Sequence, residues 1–117
     1  METSVLIVDD HAHFRRSARR LLERSGYSIV GEADDGQSGI SETARLHPEV
    51  VLLDVYLPDT DGFDVAEKLT SRGAAVVVLT SSRDGSDFGP LVERSGARGF
   101  IPKTELSGAR LGALLER

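Results

Sequence analysis

Four short apolar runs of the chain end in side chains that can do chemistry. VLIV is followed by Asp9 and Asp10, VVLL by Asp54, VVVL by Thr80, and GFIP by Lys103. Carboxylates act as nucleophiles or metal ligands, whereas a hydroxyl and an ammonium donate hydrogen bonds to anionic oxygens. Three acids, one hydroxyl and one lysine therefore form a candidate site, provided that the fold brings the ends of these runs together.

The apolar runs are typical of parallel strands that are covered on both faces. Their Val, Ile and Leu residues do not alternate with polar residues, as they would in a half-exposed strand. We predict strands at Val5–Val8, Ile29 and Val30, Val50–Leu53, Val76–Leu79 and Gly99–Ile101. Pro102 lacks an N–H group for a ladder, so the last strand is predicted to lie at an edge of the sheet.

The segment after the first run has the spacing of an amphipathic helix. Its apolar face carries Phe14, Ala18, Leu21 and Leu22, and Gly26 is placed to end it. The opposite face carries Arg15, Arg16, Arg19, Arg20 and Arg24. A solvated helix face explains this stripe better than a docking surface does.

Four more helices are predicted from helical spacing and cap residues. They run from about Gly36 to His47, from Phe63 to Arg72, from near Pro90, and after Thr104. Asp34 or Asp35 is expected to cap the second of the five helices. Gly85, Gly89 and Pro90 predict a late start or a frayed first turn for the fourth, because each Gly costs up to about 1 kcal/mol inside a helix.

Alternating strands and helices predict a doubly wound α/β fold, with a five-stranded parallel sheet and five surrounding helices. In such a sheet, ligands bind beyond the carboxyl ends of the strands, where the candidate residues lie. Two unit charges about 4 Å apart repel by about 4 kcal/mol at an effective dielectric near 20, so the three acids need a cation. Their oxygen ligands favour Mg2+, or Mn2+, over zinc, and the set as a whole is suited to phosphoryl transfer onto a carboxylate.

Composition limits the class of protein. The 117 residues, 39% hydrophobic and 28% charged, predict one domain spanning residues 1–117. The absence of Cys favours a reducing cytoplasm. A net charge of -5 argues against direct nucleic-acid binding, and no apolar run approaches the about 20 residues of a membrane span.

Taken together, these motifs resemble the receiver domain of bacterial two-component response regulators, closest to that of NarL/LuxR-type regulators. The resemblance rests on DDHAHFR, LLDVYLPDTDG, VVLTSS and GARGFIPK, in order along essentially the whole chain. It implies the CheY-like sheet order 2-1-3-4-5.

The resemblance also implies a role for each candidate residue. Asp54 would accept a phosphoryl group, and Lys103 would pair with that group. Thr80 would move toward the phosphoryl group and Phe100 would turn inward with it, so that the fourth helix, fifth strand and fifth helix change shape. The metal ligands would be Asp9, Asp10, Asp54 and the backbone carbonyl of Tyr56.

The same resemblance implies the partners. A sensor histidine kinase or a phosphotransfer protein would donate the phosphoryl group, and phosphorylation could produce a homodimer. Output would pass through a C-terminal DNA-binding domain that this chain does not contain, or the receiver would act alone. Such a domain catalyses its own phosphoryl transfer and dephosphorylation without being a conventional turnover enzyme.

Two features depart from the family pattern. Thr104 follows Lys103 where many receivers have proline, and this disfavours a cis bond there. The glycines and proline around the fourth helix predict that this helix is mobile before phosphorylation and orders afterwards.

Other interpretations remain beside the receiver hypothesis. Asp9 or Asp10 could cap the first helix, and Asp59 and Asp61 could simply shape a turn. A metal hydrolase using His11 and His13 is disfavoured. Both residues fall in the predicted first helix, where residues i and i+2 point about 200° apart around the axis, so the two imidazoles would diverge.

A nucleotide-cofactor fold is disfavoured because no GxGxxG follows the first strand. A receiver-like interaction module that is never phosphorylated is the remaining alternative. The intact set of Asp54, Thr80 and Lys103 speaks against it.

Overall fold

Five parallel strands form one sheet in a computed structural model that describes residues 2–82 and 88–116. The strands are β1 Ser4–Val8, β2 Ser28–Ala33, β3 Val50–Asp54, β4 Val76–Ser81 and β5 Gly99–Pro102. Their order, β2-β1-β3-β4-β5, confirms the predicted topology. It also places the strand that ends in Pro102 at an edge of the sheet, as the missing N–H predicted.

Five helices connect and flank the strands: α1 Ala12–Arg24, α2 Gly36–Leu46, α3 Gly62–Ser71, α4 Gly89–Ser95 and α5 Gly108–Leu115. A 3-10 turn at Lys103–Glu105 separates β5 from α5. The last helix begins later than predicted, because the Ser107 hydroxyl accepts a hydrogen bond from Arg110 N at 3.0 Å and caps it there. Within the described ranges, no helix has the length and apolar content to cross a membrane.

Helix α4 has the predicted late start. It contains seven residues, with Pro90 in its first turn, and Gly96 follows it with φ of +80°. Gly85, which contributed to the prediction, lies outside the described residues. All described peptide bonds are trans, that between Lys103 and Thr104 included.

Local caps explain where two other helices begin. Asp35 accepts a hydrogen bond from Ser38 N at 2.8 Å within a capping box, so the second of the two predicted caps for α2 is the one used. Asp61 caps α3 through Asp64 N at 2.8 Å. The alternative in which Asp9 or Asp10 caps α1 does not occur, because His11 occupies that position and makes no side-chain cap hydrogen bond.

Asp59 does more than shape a turn, which corrects the sequence interpretation. Its carboxylate accepts hydrogen bonds from Gly36 N at 2.8 Å and Gln37 N at 3.0 Å, in the first turn of α2. These bonds to backbone N–H groups lower the pKa of Asp59 below its ordinary value. Asp59 thus joins the loop after β3 to the first turn of α2.

The core lies on both faces of the sheet, because successive side chains of each strand point to opposite sides. Leu6 and Val8 pack on the side of α2, α3 and α4, whereas Val5 and Ile7 pack on the side of α1 and α5. Every residue of β3 is buried. Phe14 and Phe63 are partly buried and pack against these two clusters.

The arginine stripe of α1 is only partly a solvated face. Arg16, Arg20 and Arg24 are exposed, as predicted. Arg15 and Arg19 instead bind one carboxylate, with Arg15 Nε 3.0 Å from Glu32 Oε1 and Arg19 Nε 2.8 Å from Glu32 Oε2. The sequence prediction was wrong for these two, because it could not place β2 beside this face of the helix.

Candidate functional site

The carboxyl ends of four strands bring the candidate residues to one edge of the sheet. Asp9 follows β1, Asp54 is the last residue of β3, and Lys103 follows β5. Thr80 is the ladder neighbour of Asp54 in the adjacent strand β4. The apolar stretches that precede these residues form the sheet, so the site is a direct product of strand pairing.

Lys103 joins two buried carboxylates. Its Nζ lies 2.7 Å from Asp9 Oδ2 and 3.4 Å from Asp54 Oδ2, and these acid side chains are 1% and 3% exposed. The same Nζ lies 4.5 Å from the centroid of the Phe14 ring, a cation–π contact. One ammonium therefore compensates part of the charge of two acids that have almost no contact with solvent.

Burial, and after it the nearby Asp9 charge, raise the pKa of Asp54 to about 6. Lys103 and the Tyr56 N–H group act in the opposite direction, the latter by donating to Asp54 Oδ1 at 3.3 Å. Asp54 is therefore mostly ionised near neutral pH, but its charge is poorly compensated by the protein alone.

His11 lies closer to the acids than the sequence predicted. Its Nδ1 is 3.0 Å from Asp9 Oδ1 and 3.2 Å from Asp10 Oδ1, because His11 precedes α1 and is not inside it. Its backbone N–H group also donates to Asp9 Oδ1 at 2.9 Å. His13, by contrast, is not among the described residues that form this cluster.

The acids and His11 present atoms that fit a divalent cation. One ligand atom from each of Asp9, Asp10, His11 and Asp54 lies within 4.8 Å of the others. Asp9 Oδ2 is buried and makes no hydrogen bond in the described part of the chain, although the Lys103 ammonium lies 2.7 Å from it. The ammonium thus forms an ion pair with this oxygen, whose second lone pair remains available to a ligand. Three carboxylates suit a hard cation such as Mg2+.

Thr80 lies in β4, the strand next to β3, and Phe100 lies in the edge strand β5. The buried Thr80 hydroxyl donates to the carbonyl oxygen of Ile101 in β5 at 2.7 Å, so it must leave this acceptor to bond a group on Asp54. Phe100 is partly buried and its ring centroid lies 5.7 Å from that of Phe88.

Phe88 is a residue near the site that sequence reasoning missed. It is 8% exposed and its ring contacts those of Tyr56 at 6.2 Å, Phe63 at 5.6 Å and Phe100 at 5.7 Å between centroids. Spacing gave no signal for it, because it precedes α4 and lies on no periodic face. Tyr56 itself is 47% exposed and follows the phosphoacceptor candidate by two residues.

Arg15 was also missed as a neighbour of the site. Its Nη1 donates to the backbone carbonyl oxygen of Asp9 at 2.6 Å while its Nε binds Glu32. The only sequence signal is the presence of an arginine five residues after Asp10, which by itself predicts no contact.

Comparison with known proteins identifies relatives along nearly the whole chain. The family described as response regulator receiver domain matches residues 5–115. The virulence-factor transcription regulator BvgA of Bordetella pertussis is 37% identical over 106 residues, which cover 90% of this chain and 51% of that protein. The nitrate/nitrite response regulator NarP of Escherichia coli is 38% identical over 117 residues, covering 93% and 54%.

Solved structures share the fold. The signal receiver domain of the putative response regulator NarL from Mycobacterium tuberculosis superposes with a TM-score of 0.87 at 33% identity, covering 99% of this chain and 98% of that one. A LuxR-family two-component response regulator from Aurantimonas has the same TM-score at 29% identity, covering 100% and 88%. The chain spans about half the length of the curated relatives it matches.

Proposed function

Because this chain belongs to the family of response regulator receiver domains, we propose that it is a phosphorylation-dependent switch in which Asp54 accepts a phosphoryl group from a histidine kinase. A phosphotransfer protein is an equivalent donor. The observation that carries the proposal is the buried Asp54 carboxylate with the Lys103 ammonium 3.4 Å away, shared with the buried Asp9.

The transfer is a substitution at phosphorus. An oxygen of Asp54 forms the new P–O bond while the P–N bond to the kinase histidine breaks, and the released imidazole nitrogen takes up a proton. Asp54 reacts as the carboxylate, the major form near pH 7 because its pKa is about 6. Lys103 already lies beside this carboxylate and can pair with a phosphoryl oxygen without a large movement.

Asp9, Asp10 and Asp54 would hold Mg2+, or Mn2+, with the backbone carbonyl of Tyr56 as a further ligand. The bound cation supplies charge neutralisation for the phosphoryl oxygens and the acids around them. The fit of the site to this cation rests on its oxygen ligands and on the buried Asp9 Oδ2, which among the described residues makes an ion pair with Lys103 at 2.7 Å but no hydrogen bond.

The signal leaves the site through Thr80 and β5. A phosphoryl group offers strong acceptor oxygens, so the Thr80 hydroxyl exchanges its bond to the Ile101 carbonyl for one to the phosphoryl group. Phe100, in the same strand as Ile101, turns inward, and the surface of α4, β5 and α5 changes. Two states of this surface are what a downstream partner would distinguish.

The downstream partner is proposed to be a transcriptional output, either a domain outside this chain or a separate protein. BvgA and NarP, named as a transcription regulator and a nitrate/nitrite response regulator, support this assignment. We further propose that the domain works in the cytoplasm and that phosphorylation favours a homodimer.

Intact-mass spectrometry with a small acyl phosphate tests the proposal. Wild-type protein with Mg2+ should gain the mass of one phosphoryl group, and chelation of the cation should prevent this. Asp54→Ala should show no gain, whereas Asp59→Ala, which removes an exposed carboxylate of the next loop, should react like wild type. A wild-type chain that never gains this mass would favour an interaction module that works without phosphorylation.

A further inference from the structure

A two-arginine bridge links the acid pair to β2. Arg15 Nη1 donates to the Asp9 carbonyl oxygen at 2.6 Å, and Arg15 Nε donates to Glu32 Oε1 at 3.0 Å. The other oxygen of Glu32 accepts from Arg19 Nε at 2.8 Å. The Arg15 side chain is 18% exposed and that of Glu32 is 29% exposed, so water competes only weakly for these bonds.

The sheet and the bridge each bind one backbone group of Asp9. The Asp9 N–H group donates to the Ala33 carbonyl of β2 at 3.0 Å, whereas its carbonyl has the Arg15 guanidinium as a partner. The backbone of Asp9 is thus held on both sides of its Cα, at the N–H by β2 and at the carbonyl by Arg15. Both carboxylates project from this short stretch, so their direction depends on it.

We propose that Arg15 is a positioning residue for the divalent cation, acting through the Asp9 carbonyl, and that Glu32 fixes the orientation of its guanidinium. This inference rests on the proposed function, because it concerns the same acid pair. Partners of metal ligands set ligand direction, and their loss typically lowers metal affinity by about 10- to 100-fold. The role needs two N–H groups at a fixed angle, which a guanidinium has and an ammonium lacks.

Arg19 provides a matched comparison within the same bridge. It lies on the same helix, binds the same Glu32 carboxylate and carries the same charge, but its Nη1 donates to the Ile29 carbonyl at 3.4 Å and not to Asp9. Loss of either arginine removes one ion pair with Glu32. Only loss of Arg15 releases the backbone between the two acids.

Titration calorimetry with Mg2+ alone tests the inference on the full chain. Arg15→Gln should weaken Mg2+ binding about tenfold, and Arg15→Lys should recover only part of the loss. Arg19→Gln should change the dissociation constant by less than about twofold, while lowering the unfolding midpoint by an amount similar to that of Arg15→Gln. Glu32→Gln, which leaves Arg15 in place but weakens its anchor, should give an intermediate loss.

Folding of the variants is checked by circular dichroism before titration. Arg15, Glu32 and Ala33 line an open surface pocket of about 260 Å³, so water can fill the space left when Arg15 is shortened, and Arg15→Gln is expected to fold. If that variant is unfolded, Glu32→Gln carries the test.

Three results would overturn the inference. Equal Mg2+ affinity in wild type, Arg15→Gln and Glu32→Gln would overturn it alone, since the cation site itself would be present. Equal losses in Arg15→Gln and Arg19→Gln would show that the bridge acts only on general stability. A wild-type chain that binds no Mg2+ at millimolar concentration would overturn both this inference and the proposed cation.

Discussion

Asp54 is a buried carboxylate whose charge the protein compensates only in part. Lys103 lies 3.4 Å from one of its oxygens, yet burial and the Asp9 charge outweigh this contact and raise its pKa to about 6. A residue in such a position costs stability when it is ionised and gains from any cation that joins it. The chemistry proposed here uses that imbalance, because both a divalent cation and the phosphoryl chemistry require the charged form.

We predict that Asp54→Asn stabilises the cation-free protein in a pH-dependent way. The folded protein binds a proton at Asp54 more tightly than the unfolded chain does, so this residue lowers stability as pH rises through the interval from 3.8 to about 6. The free energy of unfolding should therefore rise by roughly 2 to 3 kcal/mol in the variant near pH 7.5. Urea unfolding with a chelator present measures this.

The gain should shrink steadily as pH falls and be nearly absent around pH 4, where Asp54 of the folded wild type is itself protonated. A variant that is less stable than wild type near neutral pH would contradict the assigned direction. So would a gain that is equally large at both ends of this pH range.

Phe14 is predicted to hold the Lys103 ammonium in place. Its ring centroid lies 4.5 Å from Lys103 Nζ. Cation–π contacts contribute about 0.5 to 2 kcal/mol, so Phe14→Leu should slow phosphorylation by acyl phosphate by about 3- to 10-fold. Phe14→Tyr, which keeps the ring face, should retain most of the rate.

Phe63→Leu is the control for loss of a phenyl ring, because Phe63 packs in the core cluster on the other face of the sheet. The rates are measured by intact-mass spectrometry on samples quenched at successive times. Equal slowing in Phe14→Leu and Phe63→Leu would mean that packing, and not the ammonium contact, is responsible.

The site residues that follow apolar runs could be predicted from the sequence, and those held by tertiary contacts could not. Asp54, Thr80 and Lys103 stand at the ends of runs that must become strands, so strand pairing alone brings them together. The contact of Arg15 with Asp9 depends on β2 lying beside α1, which no local pattern specifies. His11 was assigned to a helix that in fact begins at Ala12.

At the level of elements, burial decides how well each boundary could be predicted. β3 is buried along its whole length, so its apolar run coincides with the strand. β2 is an edge strand with mixed burial, and its polar residues extend it well beyond Ile29 and Val30. Helices α4 and α5 contain glycines and depend on Pro90 and Ser107 for their starts, so spacing alone located them less well.

Gly62 shows how closely α3 approaches β3, the strand that ends in Asp54. A Cβ atom at this position would collide with the backbone carbonyl oxygen of Asp54, and the Gly62 N–H group donates to Val55 O at 2.6 Å. We predict that Gly62→Ala lowers the free energy of unfolding by about 1 to 3 kcal/mol, as overpacking of a rigid contact does.

Gly89→Ala is the matched control, because a Cβ atom there meets nothing within 4 Å and its backbone is at the start of a helix. It should be neutral, or stabilising by up to about 1 kcal/mol. Urea unfolding of both variants decides the matter, and a Gly62→Ala protein as stable as wild type would contradict the described packing of α3 on β3.

At the scale of the whole molecule, the proposed switch runs from Asp54 toward one edge of the sheet. The Thr80 hydroxyl is bonded to β5, the edge strand beside α4 and α5 in the chain, so a change at Asp54 reaches an edge and not the centre of the sheet. The short α4, with its Gly and Pro residues, has few turns to hold it. An edge strand and a short helix can move at low cost to the rest of the core.

We predict that phosphorylation slows hydrogen exchange in α4, and that Thr80→Val abolishes this effect without preventing phosphorylation. Valine keeps the shape of threonine but lacks the hydroxyl that moves to the phosphoryl group. Thr80→Ser, which keeps the hydroxyl, should retain the slowing. Exchange mass spectrometry over Gly89–Ser95 makes the comparison, and equally fast exchange in both states of the wild type would contradict the switch.

The most direct test of the central claim is to locate the phosphoryl group. After reaction with acyl phosphate and Mg2+, borohydride reduces an aspartyl phosphate to homoserine, and peptide mass spectrometry identifies the reduced position. We predict homoserine at position 54 alone, and none in a sample from which the cation was removed. Three results would contradict the assignment of Asp54 as the phosphoacceptor: reduction at Asp9 or Asp10, a phosphoryl group on His11, or no reduced residue in a wild-type sample.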